Sequence, residues 1–130
     1  MKQRPVAIGL LVCEQVIIEE GTRNFTPVNC VSRFTVSEIP SIPFPFVVFT
    51  TLVDGIGEMP LEVRIQRLDT LDVIARVAIT ARFDDPLREM RCLVRIRDCS
   101  FPVAGPYDVA LLADNEPIAA RRIVIIHREE

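Results

Sequence analysis

The chain of 130 residues has a formal net charge of −3, and 49% of its residues are hydrophobic. This length suits one domain, residues 1–130, with a core of its own. The charge lacks the cationic excess of a nucleic-acid binder, and no apolar run approaches the roughly twenty residues of a membrane span, so we expect no nucleic acid and no membrane as partners.

The aliphatic residues are mostly β-branched, with 16 Val and 14 Ile, which favour half-buried strands over helices. Apolar and polar residues alternate through most of the sequence, and short turn-forming segments divide the alternating runs. This pattern predicts an all-β sandwich of about eight antiparallel strands, immunoglobulin-like or C2-like. The strands are predicted near residues 5–18, 25–36, 46–53, 61–68, 73–83, 88–97, 107–113 and 118–127.

The first predicted strand follows a short basic tip, and we tested it as an export signal. Its apolar part is brief, and Val12 before Cys13 is not the small residue that a cleavage site prefers. We therefore expect a cytoplasmic protein with reduced thiols. The four cysteines contain no C-x-x-C pair, and His127 is the single histidine, so neither a metal site nor a cofactor is expected.

One alternating run is assigned a buried face. In residues 73–83 the predicted inward residues are Val73, Ala75, Val77, Ile79, Ala81 and Phe83. Residues 86–94 leave two alternatives open, because Asp85-Pro86 could begin a helix in which Leu87, Met90 and Val94 share a face. The continuation to Arg97 alternates better than it follows a helical period, which favours a strand.

Near the end of the chain, "AGPY" leads into the run that begins at Tyr107, and Asp114-Asn115 is predicted to turn a hairpin. The segment resembles the G-x-Y start of a late strand in immunoglobulin-like sandwiches, where a tyrosine corner satisfies a backbone group. We therefore predict that Tyr107 stabilises the fold and has no reactive role. Val109 stands where an antibody domain has a disulfide cysteine, so the resemblance concerns the architecture alone.

A broader resemblance covers most of the chain. It rests on "LLVCEQVIIEEGTRNFTPVNCVSRFTV", on "IPSIPFPF" before "VVFTTL", and above all on the closing F-P-x-x-G-x-Y segment with its D-N-E turn. In these segments the sequence resembles DUF6941, a group of small bacterial proteins of unknown function. The resemblance implies a compact bacterial β-sandwich and brings no catalytic residues.

The residue types of common active sites are missing or isolated. His127 lies near the last residue and has no nucleophile nearby in sequence. Cys99, beside Asp98 in a predicted loop, is expected to be the most exposed thiol, and it lacks a partner that would lower its pKa. We therefore expect no catalytic residues and no enzyme.

Two charged sets remain as candidate binding features. An outward arginine row could form a basic stripe or pair with neighbours such as Glu62 and Glu89; its members are Arg64, Arg76, Arg82, Arg91, Arg95 and Arg97. If eight strands alternate in direction, every second loop lies at one end of the sandwich. That end would collect Glu19, Glu20, Asp54, Glu58, Asp84, Asp85, Asp114 and Glu116, and it could hold calcium or a basic partner, although the preference of turns for Asp and the need for solubility explain the acidity more simply.

The mean hydropathy of +0.29 is high for a soluble monomer. It indicates apolar surface that is covered by a partner or by a second copy. We expect a non-enzymatic interaction or accessory domain that forms a homo-oligomer, such as a dimer, through an edge strand or an apolar sheet face. The alternative is a module that binds calcium or a basic partner at the acidic loop end.

Overall fold

A computed structural model describes residues 1–129, which form nine strands in two sheets. The strands are β1 Val6–Ile18, β2 Phe25–Cys30, β3 Arg33–Val36, β4 Phe46–Val53, β5 Gly57–Arg67, β6 Val73–Phe83, β7 Met90–Ile96, β8 Gly105–Ala113 and β9 Glu116–His127. One sheet has the order β2-β1-β4-β7 and the other the order β3-β9-β8-β5-β6. This confirms the predicted all-β sandwich. Across residues 1–129 we find no helix long and apolar enough to cross a membrane.

The predicted strand 25–36 is wrong as one element, because it divides into β2 and β3 in different sheets. The N–H group of Val31 donates to Val12 of β1, and the carbonyl of Ser32 accepts from Val124 of β9. Val31 and Ser32 are adjacent, yet they bond to different sheets. Neither is a Gly or Pro, so the sequence gives no sign that the chain passes from one sheet to the other here. The resulting β3–β9 pair is parallel, which corrects the expectation of antiparallel pairing throughout.

The other predicted strands agree with the structure to within a few residues. The largest difference is at β5, which begins at Gly57 and includes Pro60, a residue typical of turns. Pro60 lies just beyond the last pair between β5 and β8, Leu61 with Ala113, so its missing N–H group breaks no bond on that side. A turn at Asp85 occupies the start of this segment, and β7 begins at Met90, so the strand alternative is confirmed for residues 90–94.

The core lies between the two sheets and follows the predicted alternation. The inward residues of β5 (Leu61, Val63 and Ile65) are almost completely buried. They pack in one cluster with the inward residues of β4, β7, β8 and β9. Phe101 and Tyr107 close this core where β7 connects to β8, with ring centroids 4.9 Å apart in an edge-to-face arrangement.

The β1–β2 hairpin folds over the outer face of the four-stranded sheet. Val47 and Phe49 point away from the core, yet both are buried. The ring of Phe25 on β2 stacks on Phe49 with centroids 5.5 Å apart, and the guanidinium of Arg91 lies 5.3 Å from the Phe25 centroid. The hairpin therefore forms a partial third layer that the sequence analysis did not predict.

Register fixes which loops share an end of the sandwich. The start of β1 lies beside the end of β4, and the end of β4 lies beside the start of β7. The start of β5 lies beside the end of β6, and Asp114 donates its N–H to Pro60. Residues 54–56, 84–89 and 114–115 therefore meet at one end, which we call the β8–β9 end.

Candidate functional site

Within residues 1–129, β6 is the longest of the four edge strands of the sandwich. This strand of 11 residues forms the end of its sheet and is hydrogen-bonded to β5 alone. Of its predicted inward residues, Ala81 and Phe83 are buried, while Val73, Ala75 and Val77 are half-buried. Ile79 is 39% exposed, so its predicted burial is wrong: no strand of the opposite sheet covers this part of the edge.

The other three edges are shorter or better protected against pairing with another chain. The β3 edge has 4 residues, the β2 edge has 6 and contains Pro27, and the β7 edge has 7 and exposes Arg91 and Arg95. Proline, charged residues and short length all discourage edge-to-edge pairing. By contrast, β6 is longer and has no Pro, and its two arginines, Arg76 and Arg82, stand on either side of an uncharged stretch from Val77 to Ala81.

A groove lies between the β6 edge and the neighbouring β7 edge. It encloses about 360 Å³ and is lined by residues 74–77 and 95–99. Arg76, Arg95 and Arg97 line it, and none of the three forms a salt bridge within residues 1–129. The groove therefore places positive charge beside the free edge of β6.

The remaining members of the predicted arginine row have partners. Arg64 contacts Glu62 of its own strand at 2.7 Å, and Arg82 contacts Asp84 at 2.9 Å. Arg91 lies over the Phe25 ring. The row is thus divided into paired arginines and the groove set, and it does not form one continuous stripe.

Strand order explains only part of the predicted acidic loop end. β1 starts at the β8–β9 end and runs away from it, so strand alternation does not bring Glu19 and Glu20 there; its hairpin then folds back over the outer sheet face, where Phe25 lies beside Arg91. β4 to β9 match the last six predicted strands in order, so the later loops keep their predicted grouping. The other six predicted residues lie at or next to the β8–β9 end: Asp54, Glu58, Asp84, Asp85, Asp114 and Glu116.

Several carboxylates at this end already have partners. Asp114 contacts the Lys2 ammonium at 3.1 Å, and Asp84 contacts Arg82. The Asp85 carboxylate accepts the Leu87 N–H at 2.9 Å in its own turn. In residues 1–129, no three His, Cys, Asp or Glu side chains come together as a metal site would require.

The thiols occupy different positions from those predicted. Cys99, predicted to be the most exposed thiol, is 0% exposed, because the chain between β7 and β8 folds into the core. Burial raises the pKa of the Cys99 thiol to about 12 and that of Cys92 to about 11, so both are protonated and unreactive at neutral pH. Cys13 is also buried, and burial with the nearby Cys30 raises its pKa. The exposed thiol is Cys30.

His127 lies at the end of β9, where a ring nitrogen is 3.3 Å from the carbonyl of Ser37. Among residues 1–129, no cysteine or acidic side chain forms a hydrogen bond or a salt bridge with this ring, and a backbone carbonyl such as that of Ser37 is not a nucleophile. The structure therefore brings no catalytic set together around His127 within residues 1–129.

Tyr107 has the structural role that the sequence predicts. Its hydroxyl donates to the Val103 carbonyl at 2.6 Å and accepts from the Val103 N–H at 3.3 Å. The side chain is completely buried at the corner between β7 and β8. Its desolvation raises the phenol pKa, so the neutral form that donates this bond persists at neutral pH.

Two packed sheets, a parallel β3–β9 edge pair and a tyrosine corner at the start of β8 define an immunoglobulin-like β-sandwich. The sequence also matches a family of unknown function, DUF6941, over residues 9–126. The chain belongs to this family, which confirms the resemblance found in its sequence. No curated protein matches the chain.

Similar folds occur in several solved structures. Alkylpurine DNA glycosylase AlkC of Pseudomonas fluorescens, bound to DNA containing an abasic site analog, is 7% identical with a TM-score of 0.52; the match covers 90% of this chain but 30% of that chain. An immunoglobulin-like protein of Pseudomonas aeruginosa is 11% identical with a TM-score of 0.48, covering 95% and 97% of the two chains. A beta-glucosidase of Listeria innocua in complex with isofagomine is 8% identical with a TM-score of 0.46, covering 95% and 17%. At such identities, the glycosylase match supports the fold alone.

Proposed function

We propose that this protein is a cytoplasmic, non-enzymatic bacterial accessory domain that self-associates through the edge of β6. The observation that carries the proposal is the long β6 strand, which is paired with β5 on one side and unpaired on the other. Its N–H and C=O groups on the free side can pair with an identical strand, extending the five-stranded sheet across two copies. Such a contact closes on itself as a twofold dimer.

The charges of β6 favour one register of this dimer. With the twofold axis at Ala78, Arg76 of one copy lies opposite Thr80 of the other, and Arg82 lies opposite Ile74. A shift of the axis to Ile79 would place Arg76 opposite Arg82, and like charges directly opposite each other destabilise a sheet. The register centred on Ala78 also pairs Val77 with Ile79, which covers the exposed isoleucine.

The molar mass in solution tests the proposal, with two matched isoleucine variants. Light scattering should give twice the 14.7 kDa chain mass for the wild type. Ile79→Lys should give the monomer mass, because a charge on the edge strand opposes pairing. The control is Ile8→Lys, which changes another exposed strand isoleucine, on the outer face of the four-stranded sheet, and should leave the dimer intact.

Two outcomes would contradict this proposal. A monomeric wild type across the accessible concentration range would remove self-association altogether. Dissociation by Ile8→Lys with no effect of Ile79→Lys would place the interface on the outer face of the four-stranded sheet, where Val6 is also exposed.

The alternative function, binding of calcium or a basic partner at the acidic loop end, has less support. Lys2 and Arg82 neutralise two of its six carboxylates, and no three acidic side chains converge in residues 1–129. A calcium module would melt at a higher temperature with calcium than with EDTA; we expect equal melting temperatures. We propose no nucleic-acid partner either, since the net charge is −3 and the glycosylase similarity concerns the fold.

A further inference from the structure

Cys13 and Cys30 lie directly opposite each other on β1 and β2. The N–H of Val31 donates to the carbonyl of Val12 at 2.8 Å, so the hydrogen bond joins the residues that flank the cysteine pair. In an antiparallel ladder this pattern marks a pair that does not exchange hydrogen bonds itself. Such pairs have the closer side chains, with Cα atoms about 4.5 Å apart.

This position satisfies the main geometric requirements of a disulfide. Opposite residues on neighbouring antiparallel strands place their side chains on the same face of the sheet. A disulfide needs Cα atoms about 4.4–6.8 Å apart and Cβ atoms that face each other, and a non-hydrogen-bonded pair meets both conditions with little movement. The other two cysteines, Cys92 and Cys99, lie on β7 and beyond its end, and both are buried in the core.

The two thiols differ in access to solvent. Cys30 is exposed on the edge strand β2, whereas Cys13 is 0% exposed, and its thiol faces the Val47 carbonyl at 3.8 Å. A small oxidant in solution therefore reaches Cys30 first. Cys13 is then the nearest thiol that can attack the oxidised sulfur.

We propose that Cys13 and Cys30 form a reversible cross-strand disulfide when hydrogen peroxide oxidises Cys30. The Cys30 thiolate attacks one peroxide oxygen, the O–O bond breaks, and the products are a sulfenic acid and hydroxide, which takes up a proton to become water. The Cys13 sulfur then attacks the Cys30 sulfur, the S–O bond breaks, and the proton from Cys13 leaves with the hydroxyl as a second water. A dithiol reductant returns both thiols.

The disulfide would fix the β1–β2 hairpin to the sheet. β2 is bonded to β1 alone, and the hairpin covers the outward Val47 and Phe49 through Phe25. Closing the loop from Cys13 to Cys30 removes freedom from the unfolded chain, and so raises the melting temperature. For a loop of this length in a chain of 130 residues we expect a rise of about 10 °C.

Mass spectrometry of the intact protein, treated with hydrogen peroxide at low protein concentration, tests the proposal. The wild type should lose the mass of two hydrogen atoms, and a digest without reductant should yield the Cys13 and Cys30 peptides joined. Dithiothreitol should reverse both the loss of two hydrogen atoms and the rise in melting temperature. Cys92 and Cys99 should become accessible to alkylation only after denaturation, in both redox states.

Cys30→Ser is the principal variant, because this exposed position can change without disturbing the core. It should neither lose two hydrogen atoms nor gain thermal stability. Cys13→Ala should leave Cys30 free to form a stable sulfenic acid or a disulfide between two chains. The proposal is overturned if the treated wild type contains no Cys13–Cys30 linkage, or if it forms only the inter-chain disulfide that Cys13→Ala forms.

Discussion

The hydroxyl of Tyr107 links a single side chain to the closure of the sandwich. It satisfies both the N–H and the C=O of Val103, in a segment that no strand pairs. Because the phenol is completely buried, no solvent can replace it if the hydroxyl is removed. The role of this residue was predictable from sequence, since glycine, proline and tyrosine stand together just before an alternating run.

Replacing Tyr107 with Phe should lower the free energy of unfolding by about 1–3 kcal/mol, because two backbone groups lose their partner. Urea unfolding followed by circular dichroism measures the change. The mass in solution should stay that of the wild type, because Tyr107 lies far along the chain from β6 and is enclosed in the core. An unchanged unfolding midpoint would show that the hydroxyl does not support the corner.

At the scale of elements, the β1–β2 hairpin shows how an alternating sequence can have an unexpected neighbour. Phe25 and Phe49 belong to two different predicted strands. The sequence does not say whether these two strands lie in the same sheet or in opposite sheets. The hairpin folds outward and stacks the two rings on the far side of the four-stranded sheet. The alternation of a strand defines two faces but does not say what covers each face.

Replacing Phe25 with Ala should detach the hairpin from the sheet. We expect the free energy of unfolding to fall by about 1–2 kcal/mol, less than for a fully buried Phe, because Phe25 is half-buried. Hydrogen exchange should increase in β2 and not in β8 or β9. Thr26→Ala, an exposed neighbour on the same strand, serves as the control; equal effects of both variants would argue against a packing role for Phe25.

The cysteine pair of this hairpin was also readable from sequence, although we did not predict it. Ile18 and Phe25 are the last pair before the turn, and Cys13 and Cys30 are equally distant from that pair. Once the segment 19–24 is taken as the turn of a hairpin with no bulge, their opposition follows. The sequence did not show that residues 5–18 pair with residues 25–30, and without that pairing the two cysteines cannot be placed opposite each other.

At the scale of the whole molecule, buried ionisable groups make stability depend on pH. The thiols of Cys92 and Cys99 and the phenol of Tyr107 all have raised pKa values, mainly because of burial. A raised pKa of an acid means that folding favours its neutral form. Stability is therefore complete below the unfolded thiol pKa near 9 and falls as pH rises toward the folded values of about 11 and 12.

Unfolding in urea at pH about 8 and about 10 should reveal a decrease of roughly 1–3 kcal/mol, since each thiol ionised only in the unfolded chain contributes up to about 1.4 kcal/mol per pH unit. Cys99→Ala removes one of these thiols, so its stability should decrease less over the same interval. A Cys99→Ala protein with the full wild-type dependence would show that this thiol is not the cause.

The sequence by itself determined the all-β class, most strand limits, the family and the role of Tyr107, because alternation, turn residues and the corner motif are local features. Tertiary structure alone decided that residues 25–36 serve two sheets, that Cys99 is buried, and that β6 is the longest edge strand of residues 1–129. These properties depend on which strands pair. Strand pairing joins residues distant along the chain, and the side-chain period of a strand is the same whichever neighbour it has.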